Sequence, residues 1–114
     1  MLSSKYRFHS RGGVKYTYQK GKTIRTPKIS LVFAPNKKQR QRYAVVVSKK
    51  VLKTAVGRNR IRRRLYEAIR LEFDPTIKLD CIFVIYSRDF LKMDFEKIRY
   101  LIKDLLKKSN TEIS

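Results

Sequence analysis

The sequence predicts one α+β domain, a single-domain α/β sandwich in which helices pack against a sheet. Residues 28–34 alternate large and small side chains, as strands do, whereas residues 58–70 repeat apolar side chains every three or four positions, as amphipathic helices do. The 114 residues leave room for one modest core, and no linker divides the chain. We therefore predict one domain over residues 1–114, with flexible ends at about 1–11 and 109–114.

The first elements are predicted from alternation and from turn residues. Val14–Gln19 fits either a strand or a helix, and Gly21 ends it in both cases. Lys28–Ala34 and Arg42–Ser48 are predicted strands, and we expect them to pair as an antiparallel hairpin. Bulky residues occupy one side of each strand and should face the core, so the other side leaves a shallow surface. That small-residue side comprises Ser30, Val32, Ala34, Ala44, Val46 and Ser48.

The second half of the chain predicts a helix, a strand and a helix. Thr54 is a predicted N-cap for a helix that runs to about Phe73, before the stop at Asp74-Pro75. Leu79–Tyr86 is apolar on both sides, as a central strand covered on both faces would be. Asp94 is a predicted cap for the last helix, after which residues 109–114 form a tail. The predicted buried stripe of that helix is Phe95, Ile98, Leu101, Ile102 and Leu105.

The charge balance indicates a polyanionic partner. Lys and Arg number 29 against 9 Asp and Glu, a net charge of +20, and self-repulsion on that scale destabilises an isolated fold. Nucleic acid is the best candidate and an anionic membrane surface is the second. The N-terminus lacks an apolar signal-peptide core, no window approaches the ~20 apolar residues of a membrane span, and the single Cys81 excludes an intrachain disulfide. We expect a cytoplasmic protein.

The polar face of the predicted long helix is the strongest functional signal. Five of the seven residues 58–64 are arginine, yet apolar residues keep helical spacing through the same stretch. The planar arginine fork donates two parallel hydrogen bonds to phosphate, so this face suits a nucleic-acid backbone. Solubility alone would not require so many arginines. The predicted nucleic-acid-binding residues are Arg58, Asn59, Arg60, Arg62, Arg63, Arg64 and Arg70.

Tyrosines add a second signal for nucleic-acid binding. Tyr16, Tyr18, Tyr43, Tyr66 and Tyr86 could stack on splayed bases, with Tyr18 the best candidate and Tyr43 expected in the core.

Protein-borne catalysis finds no support in the sequence. The only histidine, His9, stands in a polar segment, no serine or cysteine has a partner base, and the acids form no recognisable two-metal cluster. Asp80 is predicted to be a capping or turn residue. We predict no catalytic and no metal-binding residue on this chain.

A family resemblance rests on the segment around the arginines. Ser48-Lys49-Lys50, then Ala55-Val56, then the run from Arg58 to Leu65 closely resemble the signature of the bacterial ribonuclease P protein family. The likeness extends more weakly from about Phe8 to Lys108.

The resemblance implies a four-stranded sheet with the order α-β-β-β-α-β-α, the ribosomal protein S5 domain 2-like fold. It implies a short first strand near Lys22–Arg25 and a left-handed β-α-β crossover through the arginine helix, against the general right-handed preference. Gly12-Gly13 stands where the family has helix formers, so the first helix is expected to be short or absent.

The resemblance also implies a function. In this family a large RNA with bound Mg²⁺ is the catalyst, and the protein docks on it and holds the 5′ leader of precursor tRNA while the leader is removed by endonucleolytic hydrolysis. The arginine helix would bind the catalytic RNA. The leader-binding residues implied here are Tyr18, Ser30, Val32, Val46, Ser48, Lys49 and Lys50.

Two other functions share part of this signal. A non-catalytic ribosomal-type RNA-binding protein would have the same charge and tyrosines. A DNA reader would need a short helix before the arginine helix, as in a helix-turn-helix, and the sequence predicts none there.

Overall fold

The protein folds as a four-stranded mixed sheet with two long helices on one of its faces. The computed structural model describes residues 17–36, 41–72 and 78–113. Its elements in chain order are α1 (residues 17–20 of the described part), β1 (Lys22–Arg25), β2 (Ile29–Pro35), β3 (Arg42–Val47), α2 (Ala55–Glu72), β4 (Leu79–Ile85), a 3₁₀ turn (Arg88–Leu91) and α3 (Phe95–Ile113). The α+β class is confirmed, as is the short strand β1.

The strand order is β1-β2-β4-β3, which corrects the predicted hairpin. β2 and β3 do not pair with each other, because β4 lies between them, antiparallel to β2 and parallel to β3. A parallel pair needs a crossover, and α2 supplies it between β3 and β4. The doubly apolar β4 takes one of the two interior positions, beside β2, and six of its seven residues are buried. The handedness of the crossover stays a prediction.

The main core lies between the sheet and the two long helices. Three matched rows of side chains cross β2, β4 and β3 on this face, and α2 and α3 pack against them. α2 contributes the apolar residues that the sequence predicted, all of them buried: Ile61, Leu65, Ala68 and Ile69. The three rows are Ile29–Ile85–Val47, Leu31–Phe83–Val45 and Phe33–Cys81–Tyr43.

Both predicted helix caps are confirmed. The Thr54 hydroxyl accepts a hydrogen bond from the Gly57 amide at 3.1 Å, and the Asp94 carboxylate accepts one from the Glu96 amide at 3.3 Å. These caps satisfy amides that the first helical turns leave without partners.

The last helix is longer than predicted. α3 continues to Ile113, so the prediction of a tail from residue 109 is wrong over residues 109–113. Ser109 is buried, and its hydroxyl donates to the Leu106 carbonyl oxygen at 2.7 Å. A serine side chain can compete for backbone hydrogen bonds, so serine often stands where a helix ends. Here the hydroxyl bonds to a carbonyl oxygen one turn earlier in α3, and the helix continues.

Some predictions concern residues outside the described ranges. They are those for Gly12-Gly13, Val14, Tyr16 and the stop at Asp74-Pro75. Within the ranges that the structure describes, no helix has both the length and the apolar character to cross a membrane.

Candidate RNA-binding surfaces

The outer side of α2 presents guanidinium groups that have no carboxylate partner in the described part of the chain. Arg60 and Arg63 are exposed and one turn apart, and together with Val56 and Asn59 they line a cleft of about 160 Å³. Val56 is 71% exposed, so an apolar side chain stands beside the charges. A cleft of this composition can receive a phosphate and the sugar or base edge attached to it.

Four other arginines of α2 make contacts within the protein. Arg58 donates to the carbonyl oxygens of Leu52 and Lys53, at 2.9 and 2.8 Å, and so holds the loop before the helix. Arg62 donates to the Asn59 side chain, which leaves the Asn59 amide group on the surface.

Arg64 and Arg70 are the other two internally bonded arginines. Arg64 crosses to the turn before α3, where it donates to the Phe90 carbonyl oxygen at 2.6 Å and to that of Met93. Arg70 pairs with Glu67, Nε to Oε1 at 3.0 Å, and this pairing raises the pKa of Arg70 and lowers that of Glu67. The sequence shows which residues lie off the apolar stripe, but backbone carbonyls of distant loops have no signature in it.

The sheet face away from α2 and α3 gathers the residues that the resemblance assigned to the leader. We call it the second face. Two rows of paired residues cross it, Ser30–Val84–Val46 and Val32–Ile82–Ala44. The predicted small-residue sides of β2 and β3 therefore share this face, although β4 separates them.

The second face is only partly accessible. Ser30 and Val32 are buried, whereas Val46 is 37% exposed and Val84 is partly so. The Ser30 hydroxyl is buried without a hydrogen-bond partner in the described part of the chain. This hydroxyl therefore lies in the interior beneath the second face and not on its accessible surface.

Two exposed tyrosines stand beside this face. Tyr18 on α1 and Tyr86 after β4 are each 46% exposed. Partial burial, and secondarily the neighbouring Tyr86, raise the pKa of Tyr18, so its hydroxyl stays neutral and its ring can stack on a base. Tyr86 follows β4 directly and continues its alternation, which puts it on the side of Ile82 and Val84. The sequence indicated it only as one of five tyrosines that could stack on bases.

Tyr43 and Tyr66 are structural, whereas Tyr100, on α3 in the helical layer, is 66% exposed. Tyr43 is fully buried and stacks on Phe83 with ring centroids 6.4 Å apart, as expected for a core residue. The Tyr66 hydroxyl accepts a hydrogen bond from the Val45 amide at 3.2 Å, which satisfies a backbone donor of the edge strand β3.

Basic residues stand at the end of the second face. Ser48, Lys49 and Lys50 follow β3 directly and are exposed. At the same end of the sheet, the Tyr86 amide donates to the Lys28 carbonyl oxygen at 2.9 Å, which sets Lys28 beside the end of β4. Lysines in this position can neutralise the phosphates of a single-stranded RNA that lies on the second face.

Among the described residues, no three His, Cys, Asp or Glu side chains lie close enough to hold a metal ion. Cys81 is fully buried in the core, and burial, with a smaller contribution from Asp80, raises the pKa of its thiol far above the ordinary value. The arrangement can bind and position RNA.

Comparisons with known proteins agree with this geometry. A family model described as Ribonuclease P matches residues 2–110. The ribonuclease P protein component of Clostridioides difficile (strain 630) is 36% identical over 100 residues, which cover 84% of each chain. That of Caldanaerobacter subterraneus subsp. tengcongensis is 35% identical over 97 residues, 83% of this chain and 81% of the relative.

Solved structures show the same fold. The RNase P protein from Thermotoga maritima superposes with a TM-score of 0.77 at 23% identity, over 90% of this chain and 96% of that one. A mutant of the Staphylococcus aureus RNase P protein superposes with a TM-score of 0.80 at 23% identity, over 94% of this chain and 90% of that one.

The sandwich and its arginine helix define a small, basic RNA-binding protein that works inside a ribonucleoprotein. The chain belongs to the ribonuclease P protein family. It is thus the protein component of a metal-dependent endoribonuclease that processes tRNA, with an RNA subunit as its partner. Catalysis by that RNA is consistent with the family.

Proposed function

We propose that this subunit holds two RNAs at once, the catalytic RNA on α2 and the 5′ leader of precursor tRNA on the second face. The supporting observation is the separation of two RNA-suited surfaces by the sheet and its core. The free arginines of α2 lie on the helical layer, whereas Tyr18, Tyr86 and Val46 belong to the opposite side of the sheet.

The α2 surface binds the catalytic RNA through Asn59, Arg60 and Arg63. Their polar groups are free to donate, since Arg60 and Arg63 have no partner among the described residues. Arg58 and Arg64 support this surface because they bond to the neighbouring loops, and Arg62 and Arg70 bond to side chains one turn earlier on α2. Their remaining donors add to the positive potential that attracts RNA.

The second face binds a single-stranded leader. Tyr18 and Tyr86 stack on unpaired bases, and Lys49 and Lys50 neutralise phosphates as the strand passes the end of β3. Val46 supplies an exposed apolar contact, while Ser30 and Val32 shape the floor from below. Ser48 can donate a hydrogen bond to a phosphate or sugar oxygen.

Hydrolysis is assigned to the RNA subunit and its Mg²⁺. Mg²⁺ prefers oxygen ligands, keeps several waters and is commonly bound through phosphates, so a large folded RNA suits it. The protein contributes affinity and orientation, both of which lower the Mg²⁺ concentration that the holoenzyme requires. The one domain of residues 1–114 carries out this role in the cytoplasm, where precursor tRNA is transcribed.

Reconstitution with a bacterial catalytic RNA tests the proposal. At low Mg²⁺, adding this protein should restore cleavage at the mature tRNA 5′ end, and the protein without RNA should not cleave. Arg60→Ala with Arg63→Ala should lose the stimulation while remaining folded. Cosedimentation with ribosomal subunits, together with no stimulation of cleavage, would contradict the proposal.

A further inference from the structure

A basic cavity lies outside both surfaces described so far. It has a volume of about 520 Å³ and opens between the start of β2, the 3₁₀ turn and the start of α3. We call it the turn cavity. Its lining residues are Lys28, Arg88, Asp89, Leu91, Lys92, Met93, Asp94 and Lys97.

The turn cavity has an excess of positive charge. Lys28 Nζ pairs with Asp89 Oδ2 at 2.9 Å, and the Asp94 carboxylate caps α3. Arg88, Lys92 and Lys97 are exposed, and of these Lys97 lies near enough to the Asp89 carboxylate for its charge to help lower the pKa of that group. Three cations around one opening repel each other, and an anion between them removes that repulsion.

The backbone around the turn cavity is fixed before any ligand arrives. The Asp89 carbonyl oxygen accepts from the amides of Lys92 and Met93, at 3.1 and 2.9 Å. From the opposite side, Arg64 donates to the carbonyl oxygens of Phe90 and Met93. A preformed site loses little entropy on binding, which favours affinity.

The turn cavity meets the second face at one end of the sheet. Lys28 contributes a wall, and its carbonyl oxygen accepts from the amide of Tyr86 at the end of β4. β3 ends in the same direction as β4, so Lys49 and Lys50 emerge at this end of the sheet as well. β4 lies between β2 and β3, so the two basic groups are two strand spacings apart, about 10 Å, across the sheet end.

We propose that the turn cavity binds a backbone phosphate of the precursor leader, distal to the nucleotides that lie on the second face. This inference rests on the proposed function. A phosphate is favoured over a base because the lining has no aromatic ring on which a base could stack. The leader is favoured over the catalytic RNA because the one α2 arginine that reaches this turn, Arg64, is bonded to carbonyl oxygens.

Leader length tests the proposal in the reconstituted holoenzyme. We compare precursors with leaders of about 4 and about 16 nucleotides, the limits of typical single-stranded site sizes. Lys92→Ala with Lys97→Ala should weaken binding of the long-leader precursor about tenfold and leave the short-leader precursor unchanged. The matched control is Lys103→Ala with Lys107→Ala, two exposed lysines further along α3, which should change neither.

A second variant should strengthen the binding of the long-leader precursor, where the lysine variant weakens it. Asp89→Asn keeps the side-chain shape but removes the charge that neutralises Lys28. It should tighten binding of the long-leader precursor about threefold, with no change for the short one. Weaker binding would overturn the proposal.

The remaining outcomes are equally decisive. Equal losses on both precursors from the lysine variant would place the contact on the catalytic RNA or the tRNA body, and no loss on either would exclude RNA from the cavity. If the wild-type protein fails to stimulate cleavage at all, the proposed function fails. The cavity is then tested by the full chain alone with a single-stranded RNA of about 16 nucleotides, and equal affinity of wild type and lysine variant would overturn it.

Discussion

The Asp80 carboxylate accepts two hydrogen bonds from the Arg42 guanidinium, from Nε at 2.7 Å and from an Nη at 2.8 Å. Asp80 lies within β4 and directly opposite Arg42 in β3, so the prediction that it caps or turns the chain before β4 is wrong. The Asn36 amide donates to the same carboxylate at 2.9 Å. One acid therefore joins the ends of β2, β3 and β4.

Asp80→Ala is expected to destabilise the domain by about 3 kcal/mol, because it leaves the Arg42 charge largely buried without its partner. The Arg42 and Asp80 side chains are only 16% and 9% exposed, so water cannot replace the lost bonds fully. Urea unfolding followed by circular dichroism measures the change. Asp104→Ala, which breaks the exposed pair with Lys108, is the control and should cost less than about 1 kcal/mol.

Arg64→Ala is expected to cost about 2 kcal/mol of folding stability, because two carbonyl oxygens lose a charged donor. Arg63→Ala, one residue away but exposed, should change stability by less than about 0.5 kcal/mol. Urea midpoints of the two variants make the comparison. Equal stabilities would show that the contacts of Arg64 with the turn contribute nothing to folding.

Arg60→Ala with Arg63→Ala is expected to reduce the salt dependence of binding to the catalytic RNA. Each lost phosphate contact lowers the slope of log affinity against log salt by about 0.7 to 0.9. Filter binding over a salt series measures the slope. An unchanged slope would mean that neither guanidinium touches a phosphate.

Gly21→Ala and Gly57→Ala are expected to differ. A Cβ on Gly21 would lie 2.6 Å from the Phe33 carbonyl oxygen and against that of Thr17, so backbone must move and about 2 kcal/mol is lost. A Cβ on Gly57 meets the Leu52 side chain, which can rotate, and lies 2.8 Å from the Thr54 hydroxyl that caps the helix, while alanine favours the helix by about 1 kcal/mol. Thermal unfolding should show a large loss for the first and a small change for the second.

The Lys28–Asp89 pair is expected to contribute stability that depends on pH in one direction. Hydrogen bonding and charge from Lys28 lower the pKa of Asp89 in the folded state below its ordinary 3.8. A carboxyl with a lowered pKa stabilises the fold at neutral pH and loses that contribution as the pH falls through the folded-state value. The stability difference between wild type and Asp89→Asn should therefore stay constant from about pH 8 to about pH 5 and close below 3.8.

Local patterns predicted the parts of the fold that depend on neighbours in sequence. The apolar stripe of α2 and the caps at Thr54 and Asp94 follow from spacing within one or two turns, and the structure has all of them. The pairing of β2 with β3 failed, because strand order depends on the burial of β4, which comes more than thirty residues later.

In the candidate site, too, local patterns were predictable from the sequence and contacts between separate elements were not. Its charge and helical face follow from the sequence, but three contacts depend on distant backbone. They are the bonds of Arg64 to the turn, of Arg58 to the preceding loop and of Tyr66 to β3. Free and bonded arginines look alike in sequence, since carbonyl acceptors are present at every residue.

The sequence by itself determined the composition of each face. It gives α2 an apolar stripe and an arginine-rich polar face, and it gives the strands one side of large and one side of small side chains. Only the tertiary structure decided which strands became neighbours, which cations stayed free for RNA, and that Lys28, Arg88 and Lys97 surround one opening. The physical reason is that periodicity reports the direction of a side chain within its own element. Partners, in contrast, depend on how separate elements meet.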